Sequence, residues 1–436
     1  MNRFTLLFML FASFAAPAQT VVSSVQEALA LARRSNPELV NARLNRTAQE
    51  QQRTIARAGW LPTARFYTNF DYNYALPVSL VPAEFLPGGR PGEVREFRFG
   101  LPLFLTAGVE ATVPILNRPA RADLGIAKQN LQIIDEQALV LQDDISTQTV
   151  RVYHAVLLTR AAIDITRRNL LAADTLVQIA RQRLDKGLIE PLEYNRIKTV
   201  QLTSADALAQ NELQLSRNQN QLKLLLGLAP TDSLSLTETL DAPPTARAVE
   251  PGAVPRPQIT LRETQVELAR LQLDRERLLR WPTLSAYGRY SQQAQRNEFN
   301  FLNPSERWFT IGVAGLQFNF PLYGGGLRTG SIARAQGQLK LAQAQLAYEQ
   351  NRQQTDTDDL QQAYNQAVRS LDLNRQQYEL SNQNVQIALV KYRSGLFAYD
   401  QYLNVFNEAL TAQNRFLNTR SSVFINQTLL QIRSGL

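Results

Sequence analysis

The hexapeptide Arg183-Leu184-Asp185-Lys186-Gly187-Leu188 returns as Lys391-Tyr392-Arg393-Ser394-Gly395-Leu396, and this recurrence decides how the chain is read. Working outward, the other landmarks recur in the same order. Tyr194 and Tyr402 sit at equal distances past the two glycines. Trp60-Leu61-Pro62-Thr63 returns as Trp281-Pro282-Thr283, and Val113-Pro114-Ile115 returns as Phe320-Pro321-Leu322. An ordered set of matches at an offset of about 210 residues marks a duplicated architecture. Each half reads helix, strand, loop, strand, very long helix, glycine turn, helix.

The boundaries follow from composition. Residues 1–18 read as a signal peptide, with Arg3 as the positive n-region, an apolar run from Phe4 to Phe14, and Ala16-Pro17-Ala18 as a small-x-small cleavage site. The first repeat is expected over 19–240. It holds a helix, strands at about 61–74 and 96–114, a long helix at about 119–185 and a helix at about 190–227. A proline-rich linker without periodicity fills 241–257. The second repeat is expected over 258–436, with a helix, strands at about 282–291 and 307–321, a long helix at about 327–393 and a helix at about 398–434.

Two signals concern a membrane. The first is alternation. Phe66, Thr68, Phe70, Tyr72 and Tyr74 share one face, opposite Arg65, Asn69, Asp71 and Asn73 along with Tyr67. From Phe97 to Val113 the odd positions are apolar, while Arg98, Thr106, Glu110 and Thr112 lie opposite. A period of two with one face fit for lipid and one for water suits a membrane strand. Pro102 interrupts the pattern, because proline donates no ladder hydrogen bond. The bland reading is an antiparallel sheet on a soluble core. The second signal is length. Leu124, Ala127, Leu131, Ile134, Ala138, Leu141 and Ile145 recur in a 3,4 rhythm with no proline from Arg121 to Asp185. Such a run is coiled-coil grammar, and about 65 residues at 1.5 Å each make a helix on the order of 100 Å.

Composition excludes several classes. The 436 residues include no Cys and one His, so disulfides, thiolate metal sites and a lipid anchor on an N-terminal Cys are ruled out. After the leader, no stretch approaches the roughly 20 apolar residues of a membrane helix. The net charge of +8 comes from Lys and Arg scattered among Gln, Asn and Glu, which reads as solvated helix faces; no nucleic-acid partner is expected. No cofactor or metal is expected either. Gly324-Gly325-Gly326 lacks the Gly-Lys-Ser/Thr of a P-loop, and reads as a strand-to-helix turn. His154 stands among Val152, Ala155 and Val156 without ligand neighbours, a packed or solvated imidazole. Asp356, Asp358 and Asp359 read as a solvated helix face, with cation binding as the sharper alternative. No nucleophile–base set assembles, so the chain is not read as an enzyme.

Four strands cannot close a barrel, and an open edge cannot face lipid. Strands that enter a membrane therefore demand an oligomer. Two copies give eight strands and a filled interior, whereas three give twelve and a passage. The fold class read from the residues is thus mainly α with membrane β, with long coiled-coil helices and four strands per protomer.

On these residues the chain resembles the TolC-like outer-membrane efflux proteins. The resemblance is carried by Val25-Gln26-Glu27-Ala28-Leu29-Ala30-Leu31-Ala32 with Asn36-Pro37-Glu38-Leu39. It is carried further by the Trp-Pro strand openings, by Phe320-Pro321-Leu322-Tyr323-Gly324-Gly325-Gly326, and by Tyr392-Arg393-Ser394-Gly395-Leu396. It implies a homotrimer with a long α-helical coiled-coil barrel, a tunnel of twelve helices across the periplasm, continuous with a β-barrel built from four strands per protomer, twelve-stranded as a trimer, in outer-membrane lipid. It implies a passive exit duct for small molecules, served by a periplasmic adaptor and an inner-membrane transporter of the RND or ABC type. Type I protein secretion and metal-ion efflux are the alternatives within the family. A non-pore structural coiled-coil protein of the envelope is the alternative outside it.

The resemblance also assigns sites. Gly187, Leu188, Gly395 and Leu396 mark hairpin tips, structural αL caps in the bland reading and adaptor-docking points in the functional one. Tyr392 matches a gating tyrosine that hydrogen-bonds across helices, its bland alternative being packing under the turn. The family's constricting aspartates fall by position on Gln401 and Asn404, which are neutral. Asp400 is adjacent but about 100° around the helix. A ring of Gln401 and Asn404 would select by size rather than charge.

Overall fold

A computed structural model of the protein describes residues 19–82, 88, 90, 92, 94–240 and 256–434. The expected signal peptide and all but the last two residues of the expected linker lie outside the described residues. The chain divides into two compact units. One gathers the chain up to Arg46 with Ile134–Glu263 and Gln345–Leu436; the other gathers Thr47–Ile133 and Thr264–Ala344.

In the first unit, a strand that periodicity did not reveal, β1 (Gln19–Val22), precedes α1 (Val25–Ser35) and α2 (Pro37–Ala58). Ser24 caps α1, its Oγ accepting from the Glu27 N–H at 3.3 Å, while the Glu27 carboxylate accepts from Ser23 N–H and Oγ at 2.7 Å. That reciprocal arrangement satisfies donors a helix start leaves open. Asn36 explains the Asn-Pro step. Its Oδ1 accepts from Glu38 N–H at 2.9 Å and its Nδ2 donates to the Leu225 carbonyl at 2.9 Å. It thereby caps α2 and pins α1 to α4 (Pro191–Leu226).

Gly227 ends α4 at φ 70°, and a Cβ there would overlap the Ser35 carbonyl. β1 pairs in parallel with β6 (Ser233–Leu236). Val22, Ala28, Ala32, Leu225, Leu226 and Leu234 bury a core beneath it with Val150 and Val156 of α3 (Arg118–Asp185). The remaining helices are α5 (Pro257–Leu278), α6 (Leu327–Arg393) and α7 (Tyr399–Arg433). At 68 and 67 residues, α3 and α6 are each about 100 Å long at 1.5 Å per residue.

The second unit carries the sheet. Its strands are β2 (Thr63–Tyr72), β5 (Leu103–Leu116), β7 (Thr283–Arg296) and β8 (Phe309–Asn319), antiparallel in that spatial order. Among the described residues the sheet is open: β2 and β8 each pair on one side only, and the four strands do not close on themselves. The strand expected over 96–114 is corrected to two. β4 (Val94–Arg98) pairs with β3 (Val78–Pro82) in a separate hairpin, and β5 starts at Leu103. Gly100 at φ 105° and Pro102 part them. The first takes a backbone conformation other residues avoid, and the second lacks a ladder donor. The supposed common face from Phe97 to Val113 is therefore continuous only from Leu103.

Register places Phe66, Val109 and Tyr290 side by side on one face. On the other, Arg65, Glu110 and Arg289 form a row, with Arg65 donating to Glu110 at 2.8 Å. β8 departs from the pattern. Phe309, Ile311 and Val313 fall on the polar face, and Leu316 and Phe318 on the apolar one.

Candidate functional site

The two glycine turns build one site in the first unit. At the end of α3, Gly187 (φ 67°) donates to the Leu184 carbonyl at 2.9 Å, and Leu188 donates to Arg183 at 2.9 Å. At the end of α6, Gly395 (φ 79°) donates to Tyr392 at 3.1 Å, and Leu396 to Lys391 at 2.9 Å. Both are Schellman closures, which need a left-handed residue and so favour glycine. The same closures leave Leu188 and Leu396 exposed, at 68% and 75%. Pro191 then starts α4 where a missing N–H costs nothing.

Beneath the tips the hairpins lock together. The Arg183 guanidinium donates to the Arg393 carbonyl at 3.1 Å and lies 4.9 Å from the centre of the Tyr392 ring. Tyr392 is buried and its hydroxyl donates to Glu193 at 3.1 Å. Burial first, and the Glu193 carboxylate second, push that hydroxyl up to about 12. Tyr399 donates to the Arg196 carbonyl at 3.4 Å, while the Arg196 side chain meets Asp400 at 3.1 Å. Tyr392, Tyr399, Tyr402 and Phe406 join Leu176, Ala180, Ile197 and Val385 in one apolar cluster. The Tyr402 hydroxyl is buried within it without a hydrogen-bond partner.

The residues singled out from sequence thus fall into two groups. Gly187, Leu188, Gly395, Leu396, Tyr392 and Asp400 gather around the tips. Gln401 and Asn404 are exposed on α7, but Gln401 is occupied: its Oε1 accepts from the Ala398 N–H at 3.0 Å at the helix start. Asn404 lines a shallow depression with Gln377, Ser381 and Glu408. Sequence reasoning missed Arg183, Glu193 and Arg196 as the lock. Arg183 stood inside the repeated hexapeptide, where its counterpart is Lys391 and its neighbour Leu184 matches Tyr392; a cation kept in both repeats beside that aromatic position was the available signal.

Elsewhere, His154 is buried with neither ring nitrogen hydrogen-bonded, stacked on Phe424 at 5.9 Å. Burial pushes it down to about 4. Asp356 pairs with Arg256 at 3.6 Å and Arg352 at 3.9 Å. No group of metal-ligating side chains occurs among the described residues, and no described helix is long and apolar enough to cross a membrane.

Long paired hairpins closed by matched tips, together with an open antiparallel sheet, define a duplicated hairpin-and-sheet protein. Residues 28–228 and 254–434 match the family model of outer membrane efflux proteins, and the chain belongs to that family. The fold agrees with solved channels. VceC of Vibrio cholerae aligns at 18% identity and TM-score 0.73, over 94% of this chain and 96% of that one. CmeC of Campylobacter jejuni aligns at 16% and 0.72, over 94% and 85%. MtrE of Neisseria gonorrhoeae, solved in an open state, aligns at 15% and 0.72, over 94% and 88%. No curated protein matches the chain at a significant level.

Proposed function

We propose that this chain is the outer-membrane exit duct of a tripartite export pump, working as a homotrimer that passes small molecules passively to the exterior. The observation that carries the reading is the open sheet. β2 and β8 are edges of ten and eleven residues, and long unpaired edges are unstable in lipid unless they close on a partner. Three copies supply twelve strands, enough for a passage. The helices support the same conclusion. Leu373, Leu380 and Ile387 recur every seven residues on α6 and are 54–68% exposed among the described residues, the spacing of a seam that packs against another helix.

In this reading the tips face the periplasm. Leu188 and Leu396 dock an adaptor, which links the duct to an inner-membrane transporter of the RND or ABC type. Tyr392, held by Glu193 and Arg183, and Asp400, held by Arg196, fix the closed arrangement of the hairpins. Gln401 and Asn404 line a neutral constriction. Small-molecule export is favoured over secretion or metal export by family analogy alone.

The test is crosslinking in cells from Leu188 and Leu396, followed by identification of what co-purifies. A periplasmic adaptor with a proton-driven pump fits the proposal. An ATP-driven transporter moves the cargo toward secreted proteins. The chain recovered alone at both tips contradicts the duct reading and revives a structural role.

A further inference from the structure

The four places where a helix meets the sheet share a charge pattern that helix stability explains only at the two helix ends and not at the two helix starts. Arg57 lies near the end of α2, Arg118 and Arg121 open α3, Arg280 follows α5, and Arg328 opens α6. No Asp or Glu occurs in 51–70, 111–122, 277–297 or 307–348. None of these five arginines has an ion-pair partner among the described residues. Arg118, Arg121 and Arg328 sit in first turns, where a cation opposes the helix dipole. The opposite end of the sheet is different. Residues 72–103 and 296–309 carry five arginines and five glutamates.

The same junctions expose apolar side chains. Leu61 is 49% exposed, Trp281 49%, Leu322 86%, Tyr323 91% and Leu327 67%. The junctions are neighbours in space: the Arg118 guanidinium lies 3.8 Å from the centre of the Trp281 ring, Gly59 lies against Ala120, and Thr283 after α5 pairs with Asn319 before α6. Arginine interleaved with exposed tryptophan, tyrosine and leucine, at the end of membrane-type strands, is the composition of a headgroup layer. The rings and stems enter the acyl boundary and the guanidinium groups reach phosphate.

We propose that the helix–sheet junctions form a collar that binds the phosphates of anionic phospholipids in the periplasmic leaflet. The collar rests on the membrane reading above. It adds that the duct selects its lipid neighbours by charge at this end only. Each arginine near an anionic surface contributes a factor of about five in affinity.

The experiment uses the chain's tryptophans. Trp308 lies at the loop end, so Trp308→Phe leaves Trp60 and Trp281, both at the junctions. This protein is placed in phosphatidylcholine vesicles holding a minor fraction of brominated phosphatidylglycerol, or the same fraction of brominated phosphatidylcholine. The expected result is at least fivefold stronger quenching by the brominated phosphatidylglycerol, lost when Arg57, Arg118, Arg121, Arg280 and Arg328 are all changed to Gln. Equal quenching by the two lipids overturns the collar while leaving the membrane placement intact. No quenching by either removes both. Selective quenching that survives in the Gln variant overturns the role of these arginines. If the Gln variant fails to assemble, added salt replaces it: selectivity that persists undiminished at high ionic strength counts against phosphate binding.

Discussion

At the residue scale, two buried groups make opposite demands of pH. His154 is held at about 4, against about 6.5 in an unfolded chain. A depressed base gives stability that is present above 6.5 and lost as pH falls through 4. A fully realised shift of this size corresponds to about 3 kcal/mol. Acid titration of stability between those values should show this loss, and His154→Leu should flatten it. Tyr392 runs the other way. Its neutral hydroxyl is favoured, so its contribution is intact below 10 and is lost as pH rises toward 12. Tyr392→Phe removes the hydrogen bond to Glu193, which costs about 1–3 kcal/mol because the acceptor is charged. Thermal unfolding of that variant measures it directly. The Arg196–Asp400 pair is exposed on both sides and adds little stability; its place in the account is to hold two hairpins in register.

At the element scale, Gly227 makes the sharpest case. It combines a positive φ with a carbonyl where a Cβ would stand, so Gly227→Ala should destabilise by more than the roughly 1 kcal/mol of an ordinary left-handed position. Chemical denaturation checks this, and Gly187→Ala, with open space around its Cβ position, serves as the comparison and should cost less. The same elements show what a sequence reveals. The long helices and both glycine turns were legible because helix periodicity and Schellman chemistry are local. Pro102 announced the break between β4 and β5, although its consequence, a separate β3–β4 hairpin, depends on pairing. β1 and β6 were not legible. Four residues each, in parallel, 214 residues apart in sequence, they carry no period long enough to read. Arg183, Glu193 and Arg196 were hidden for the same reason: each is an ordinary surface residue until two hairpins meet.

At the scale of the whole molecule, one chain leaves its surfaces unfinished. Among the described residues the sheet ends in two bare edges, the α6 seam of Leu373, Leu380 and Ile387 is exposed, and Leu188 and Leu396 stand exposed at the tips. Edges and seam call for identical copies, because each chain offers both β2 and β8. The tips, in the proposed function, receive an adaptor. On the proposed function, Leu396→Asp should abolish adaptor capture in pull-down while leaving the oligomer unchanged in size, since Leu396 belongs to neither the edge strands nor the seam.

The most direct test of the central claim uses the absence of native cysteine. A single cysteine on β2, at Asn69, is combined in turn with one at each position from Ile311 to Leu316 on β8, and oxidised in membranes. The account predicts a covalent ladder that stops at three chains for at least one pairing, because three four-stranded sheets close the barrel. Monomer at every pairing, or a ladder that continues beyond three, would contradict it.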